Sequence, residues 1–495
     1  MLLAATTAPG CPKGRPSDAG RSSSASADES VYRGVEVELV SPQPGRPLPL
    51  GVIQASSHQL TMFRGSPERN LSGVGFVPRR PKLLWRFQTK TKLEGPYEER
   101  GDKKLGEESE WRGLGWTGQP CYMEGRIYYG SSDSYVYCQD ARSGELHFYY
   151  GTHHCVKGSI SIFDEFIYHG GRDNKIHCYG LDGGMYWETR TGNDMDSSPV
   201  VVDGRGFIGG EDGNIYSFDP LSGEILWATA TAGSVESSPC VANGHVFAGS
   251  SRGRLYCCDA VTGEILWEFK TLGDTDSTPV WWDGRIYVAC ATGDAEESGH
   301  VWCIDEKTGE KIWHVPMSRG VWATVAVNPD KGRLYVGCAN GYIYSIRMSD
   351  GGLVWKRDLY SRIWSSPVVF DGCVLAAVRD GRFWCLDEET SEPMWVFDDG
   401  FDFDATPCVA DGMIFIGSQN GWVYGIGESE EGEEINGHWF TTEFPMRRRL
   451  DHNPDGIVTI DNPAPPPGTY TDTNAANREN YREPVYGRER DSGDE

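Results

Sequence analysis

No run of uninterrupted apolar residues approaches the ~18 that a membrane helix needs, so no membrane span is expected. The apolar start Met1-Leu2-Leu3-Ala4-Ala5 is short and has no basic residue ahead of it, which argues against a signal peptide. A lipoprotein-type signal ending at Cys11 is the alternative, but Ala8-Pro9-Gly10 fit such a site badly. Basic residues are scarce: 46 Lys and Arg stand against 72 Asp and Glu, a net charge of −26. That balance repels nucleic acid and anionic membranes and favours basic partners or cations. A phosphate-cradling Gly loop, a Gly-x-Ser-x-Gly elbow and a convincing catalytic triad are missing, so the chain offers no catalytic residues. Histidine is also sparse at 11, and five of these fall between His147 and His177 (His147, His153, His154, His169, His177, beside Cys155) without finger-like spacing.

What the chain does have is a repeat of about 40 residues. One copy reads Ser197-Ser198-Pro199, then Asp203-Gly204, Ile215-Tyr216, Asp219, Ser222-Gly223 and Trp227; the next ends on Trp267. The closing aromatic recurs at Phe148, Trp187, Trp227, Trp267, Trp313, Trp355, Trp395 and Trp439. Each copy carries four strand signals. Asx-Gly pairs such as Asp203-Gly204 and Asn243-Gly244 supply the positive φ angles of tight hairpins. Eight copies of four short strands predict an all-β, eight-bladed β-propeller of antiparallel blades. The extra strand around Trp85 is expected to pair into the last blade and close the ring, removing exposed sheet edges. The sequence leaves open whether Trp85 or Trp439 supplies the final outer strand.

Residues 1–60 read as a largely disordered extension, 61–440 as the propeller and 441–495 as a mostly disordered tail. Of 14 cysteines, all but Cys11 lie in the repeats. Cys138, Cys178, Ser217, Cys257, Cys303, Ser345, Cys385 and Gly425 share one small-residue column. Equivalent sites in neighbouring blades are too far apart to bridge, so buried free thiols in a reducing, cytoplasmic compartment are expected. A periplasmic or other extracytoplasmic location is the alternative. A monomer is expected.

The Asp-x-x-Thr-Gly-x-x-x-Trp pattern (Asp259, Thr262-Gly263, Trp267; Asp305, Thr308-Gly309, Trp313) and the lead-in Met62-Phe63-Arg64-Gly65 to Asn70 resemble the PQQ-like repeat propellers over about residues 60–440. The resemblance implies the fold and leaves two functions. One is a non-catalytic scaffold, as in the barrel-assembly lipoprotein of that family. The other is a PQQ- and Ca²⁺-dependent quinoprotein dehydrogenase oxidising alcohols or sugars. In the dehydrogenases, an adjacent-cysteine disulfide covers the quinone and carboxylates with an Asn hold Ca²⁺. The one Cys-Cys pair here, Cys257-Cys258, sits inside a predicted strand, where neighbouring side chains point to opposite faces. The blades also lack long insertions. No cofactor is therefore expected, and the scaffold is the favoured reading.

Strands alternate in direction, so the loop before each first strand and the loop between the second and third open on one face. The residues before the Ser-Ser-Pro motifs should ring that mouth of the channel: Thr117, Lys157, Asp196, Glu236, Asp276, Trp322, Trp364 and Asp404. Second acids two residues earlier give Asp194, Asp274 and Asp402. Converging carboxylates suit a cation or a basic peptide, and a sugar could stack on the tryptophans. A solvated acidic rim, or Asp side chains capping their own turns, is the plain alternative. Asp451, Asn453 and Asp455 match the start of a calcium loop, but Asn462 stands where a bidentate Glu belongs. A tight Pro-Asp-Gly turn before a strand from Ile457 to Ile460 is the favoured reading of them.

Overall fold

The computed structural model describes residues 59–89, 118–152, 154–292, 298–430 and 439–442, with 471–472 as backbone alone. The extension before residue 59, Thr117, the candidate calcium loop of Asp451, Asn453 and Asp455, and most of the tail lie outside the described residues. Among the described residues no helix is long and apolar enough to cross a membrane.

Eight sheets form the ring, each built on four antiparallel strands that follow in chain order in seven of them. Blade 3 shows the pattern, with Val200–Val202 innermost, followed by Arg205–Gly209, Asn214–Phe218 and Ile225–Ala230. The inner strands have three residues, and neighbouring inner strands touch around the axis. At the hairpin between the first two strands, Asp203 (φ 51°) and Gly204 (φ 73°) both take the left-handed conformation. Asn243-Gly244, Asp283-Gly284, Asp371-Gly372 and Asp411-Gly412 repeat it, as the primed turns matching strand twist require.

Blade 8 closes with the strand Pro81–Gln88, which pairs antiparallel with Trp422–Glu428. Trp85, and not Trp439, therefore supplies the last outer strand that the repeat count left open. The segment after Trp439 instead pads the neighbouring blade, where Phe440–Thr441 pairs with Pro393–Asp398. Thr471–Asp472 adds in parallel to the outside of Pro81–Gln88. The chain covers the outer edges of blades 7 and 8 with its own strands.

Blades dock through two belts of hydrogen bonds. On the outside, each indole N–H reaches a carbonyl of the next blade: Trp187 to Pro220 at 3.0 Å, Trp267 to Glu306 at 2.9 Å, Trp395 to Pro78 at 2.9 Å and Trp85 to Ala141 at 2.9 Å. The small-residue column lies directly opposite these tryptophans, with Cys178 across from Trp187, Ser217 from Trp227 and Gly425 from Trp85. At Gly425 a Cβ would come within 2.2 Å of the Trp85 ring. Near the axis, the hydroxyl at the second position of the Ser-Ser-Pro motif or its equivalent accepts a backbone N–H from the blade before in blades 2 to 7. Gln119 donates to Ser159 (2.8 Å), Ser159 to Ser198 (2.9 Å), Ser198 to Ser238 (2.9 Å), Ser238 to Thr278 (3.2 Å), Thr278 to Thr324 (3.2 Å) and Thr324 to Ser366 (3.0 Å).

The lead-in segment plugs the end of the channel opposite the predicted mouth. Its backbone hydrogen-bonds to the inner strands at Tyr122, Ile162, Val241, Trp281 and Val409. Arg64 and Arg69 are both 1% exposed. Arg69 donates to the carbonyls of Pro239 (2.8 Å), Phe63 (2.7 Å), Ser198 (3.2 Å) and Pro199 (3.3 Å). Arg64 donates to Thr324 O at 2.8 Å. Burial lowers the two guanidinium pKa values to about 9 for Arg64 and about 10 for Arg69.

Candidate binding site at the channel mouth

The loops before the inner strands and between the second and third strands meet at one mouth. Across blades 2 to 5 they bring together Lys157, Arg172, Asp194, Asp196, Glu211, Glu236, Asp274 and Asp276. Asp196 is 2% exposed. It accepts from Arg172 Nε at 2.9 Å and Arg172 Nη2 at 2.6 Å, and pairs with Lys157 Nζ at 3.0 Å. Arg172 also reaches Glu211 at 3.4 Å and Asp194 at 3.9 Å. Burial alone would raise the Asp196 carboxyl; the Arg172 hydrogen bonds and the Lys157 charge outweigh it and hold it below the usual carboxylate range.

The other acids are held differently. Burial, with Asp196 and Glu236 nearby, pushes Glu211 up to about 8. Burial, with Asp196 nearby, pushes Glu236 to about 7. Asp276, 7% exposed, rises well above the ordinary value through burial, Glu236 and Asp274. Asp274 is raised by burial. The Oδ1 atoms of Asp274 and Asp276 are buried without a hydrogen-bond partner. These six carboxyls thus stand against three bases among the described residues of these loops, Lys157, Arg172 and the exposed Arg252, and like charges held out of water keep protons that they would lose in solvent.

The far side of the mouth repeats the arrangement on a smaller scale. Arg379 lies 3.3 Å from both Asp402 and Asp404. Gln419 Nε2 also donates to Asp404. Burial raises Asp404 to about 6, with Arg379 opposing. The guanidinium carbon of Arg379 stands 4.0 Å over the Trp364 ring. One face of Trp364 is therefore covered by the chain itself. Trp322 and Trp364 are half-buried.

Sequence reasoning did not single out Arg172, Glu211 and Arg379. All three occupy one position in the turn between the second and third strands: Gly171-Arg172-Asp173, Gly210-Glu211-Asp212 and Val378-Arg379-Asp380. Aligning the repeats at that turn would have placed them beside the acids of the next blade.

Among the described residues, Asp196, Glu211 and Glu236 are the one set of three metal-type donors whose ligand atoms lie within 4.8 Å of one another. Such oxygens suit a hard cation, but Asp196 is already engaged by Arg172 and Lys157. The quinone lid that the family resemblance implies does not form. Cys257 and Cys258 pack into separate core clusters on opposite faces of their strand, and both are free thiols. The eleven other described cysteines are free and buried as well.

Residues 118–424 match the family described as "Beta-alanine-activating enzyme, beta-propeller". The outer membrane protein assembly factor BamB of Yersinia pestis is 25% identical over 186 residues, covering 33% of this chain and 47% of that protein. The beta-alanine-activating enzyme of Homo sapiens is 23% identical over 133 residues, covering 26% of this chain and 12% of the enzyme. This chain thus matches less than half the length of either relative. A europium-containing methanol dehydrogenase superposes with a TM-score of 0.59 at 13% identity, covering 75% of this chain and 98% of that one, a likeness of fold. The repeats are PQQ-like and resemble those of BamB, and the chain belongs to the beta-propeller family of the beta-alanine-activating enzyme.

Proposed function

We propose that this propeller is a non-catalytic docking platform whose acidic channel mouth takes a basic, extended segment of a partner protein. The observation that carries the reading is the charge imbalance of those six carboxyls to three bases among the described loop residues of blades 2 to 5, with only Lys157 and Arg172 paired to the buried Asp196. A guanidinium or ammonium group entering beside Glu236, Asp274 and Asp276 would relieve the like-charge repulsion that now holds protons there. It would also give the buried Oδ1 atoms a donor. The covered face of Trp364 speaks against a carbohydrate stacked on that ring. The separated Cys257 and Cys258 speak against a disulfide-capped quinone. Docking on such a face is in keeping with the assembly role named for BamB, to which the repeats are similar. That likeness also favours an extracytoplasmic setting, whereas the buried thiols favour a reducing one; fractionation of the native protein decides between them.

The test is calorimetric titration of the full chain with a hexa-arginine peptide, with hexa-glutamate as control. Binding of hexa-arginine at low salt is expected, weakening as salt screens the charges. Glu236→Gln with Asp276→Asn should reduce affinity at least tenfold without lowering the unfolding midpoint, since both side chains are strained by their neighbours. Undiminished affinity in that double variant would sink the proposal. Asp196 and Asp404 are poor choices for the test, because each also pairs with a base of the chain itself.

A further inference from the structure

Away from the mouth, on the outer half of blade 5, two histidines are set against each other. His300 lies on the strand Ser298–Asp305 and His314 on its neighbour Lys311–Met317. The His300 Nδ1 and His314 Nε2 atoms are 3.1 Å apart. The Trp302 ring stacks on His314 with centroids 4.3 Å apart and planes 19° from parallel, and its indole N–H is anchored at 3.1 Å to Thr271 O of blade 4. His314 is thus held in place from one side, while both imidazoles remain half-exposed.

We propose that His300 and His314 form a two-histidine chelate for a borderline divalent cation such as Zn²⁺. Nitrogen ligands sit ~2.0–2.1 Å from Zn²⁺, so two nitrogens 3.1 Å apart subtend roughly 95–102° at the ion. That angle lies between square-planar and tetrahedral, within reach of the metals that imidazole favours. Burial and the neighbouring imidazole lower the His300 pKa, and burial and Lys311 lower that of His314. Both rings are therefore neutral at pH 7 and carry the lone pairs a metal needs. The remaining coordination positions go to water or to a group brought by a partner. The site is independent of the acidic mouth, whose carboxylates suit harder cations.

A hydrogen bond between two neutral imidazoles gives the same separation, so the experiment must report on the metal. Zn²⁺ is titrated calorimetrically into the full chain. In parallel, acylation of His300 and His314 by diethyl pyrocarbonate is followed by peptide mapping with and without Zn²⁺. One equivalent should bind, and both histidines should be protected. His300→Gln and His314→Gln should each weaken binding at least tenfold, since loss of mere outer-shell partners already costs about 10–100-fold. His300→Gln replaces a half-exposed side chain and keeps the Trp302 stack on His314, so the folded state survives for the comparison. Zn²⁺ affinity unchanged from the wild type in both variants, or equal labelling with and without Zn²⁺, would overturn the site.

Discussion

Ser217 and Ser238 are both buried serines in neighbouring blades, yet they do opposite things. Ser238 Oγ accepts the Ser198 N–H and so ties blade 4 to blade 3. Ser217 lies opposite Trp227 in the small-residue column, and its hydroxyl has no partner. A buried donor left unpaired costs about 1–3 kcal/mol. Ser238→Ala should therefore lower stability by about that amount in urea unfolding. Ser217→Cys should raise it by about 1 kcal/mol, because a thiol fills the site as a small hydrophobe, as in five equivalent positions, without a stranded hydroxyl. A loss on Ser217→Cys would mean that the hydroxyl is paired after all. The column was legible in the sequence because its members share one offset and one size. The belt role of the second serine was not, because its partner lies about forty residues away in the next blade. Nothing local distinguishes Ser238 from Ser237.

At the scale of elements, strands were legible from turns and alternation, and Trp85 as a closing strand followed from the surplus aromatic. The plug was not. Residues 59–77 have no repeat period, and Arg64 and Arg69 look like surface residues until the ring closes around them. A run that crosses the channel axis gains its hydrogen bonds from several inner strands at once, which no window of sequence contains. Arg69 satisfies four carbonyls with a planar fork, whereas Lys offers three donors from a single point. Arg69→Lys should lower stability by about 2–3 kcal/mol, the cost of carbonyls left without donors. Limited proteolysis should then cut the lead-in segment well before the blades. Equal resistance in the variant and the wild type would show that the plug is held by its backbone pairing alone. The outer edges differ among blades for a related reason. Strands such as Phe440–Thr441 pad a blade that already has its four strands, so repeat counting left open whether Trp85 or Trp439 supplied the last outer strand.

For the molecule as a whole, the acidic mouth couples folding to pH. In the unfolded chain a Glu ionises near 4.5, whereas folded Glu236 does so near 7 and Glu211 near 8. Asp276 is raised well above its ordinary value in the same cluster, and buried Asp399, away from it, rises to about 7. Between pH 6.5 and 8 the folded chain therefore holds protons that the unfolded chain has already released. With more protons bound to the folded state, stability falls as pH rises through this window. His169, pushed down to about 3 by burial, works in the other direction, but only below its unfolded value near 6.5. The unfolding midpoint should accordingly drop from pH 6.5 to pH 8. Glu211→Gln with Glu236→Gln should flatten that slope and raise the midpoint most at pH 8. The acids at Asp196, Glu236 and Asp276 were readable as a ring from their place before each Ser-Ser-Pro motif. Which of them keep a proton was not, because that depends on Arg172 and Lys157 spending both their charges on Asp196. A basic ligand supplied at pH 8 should restore the lost stability in the wild type and do so less in the double variant. A slope unchanged by the substitutions would place the titrating groups elsewhere than the mouth.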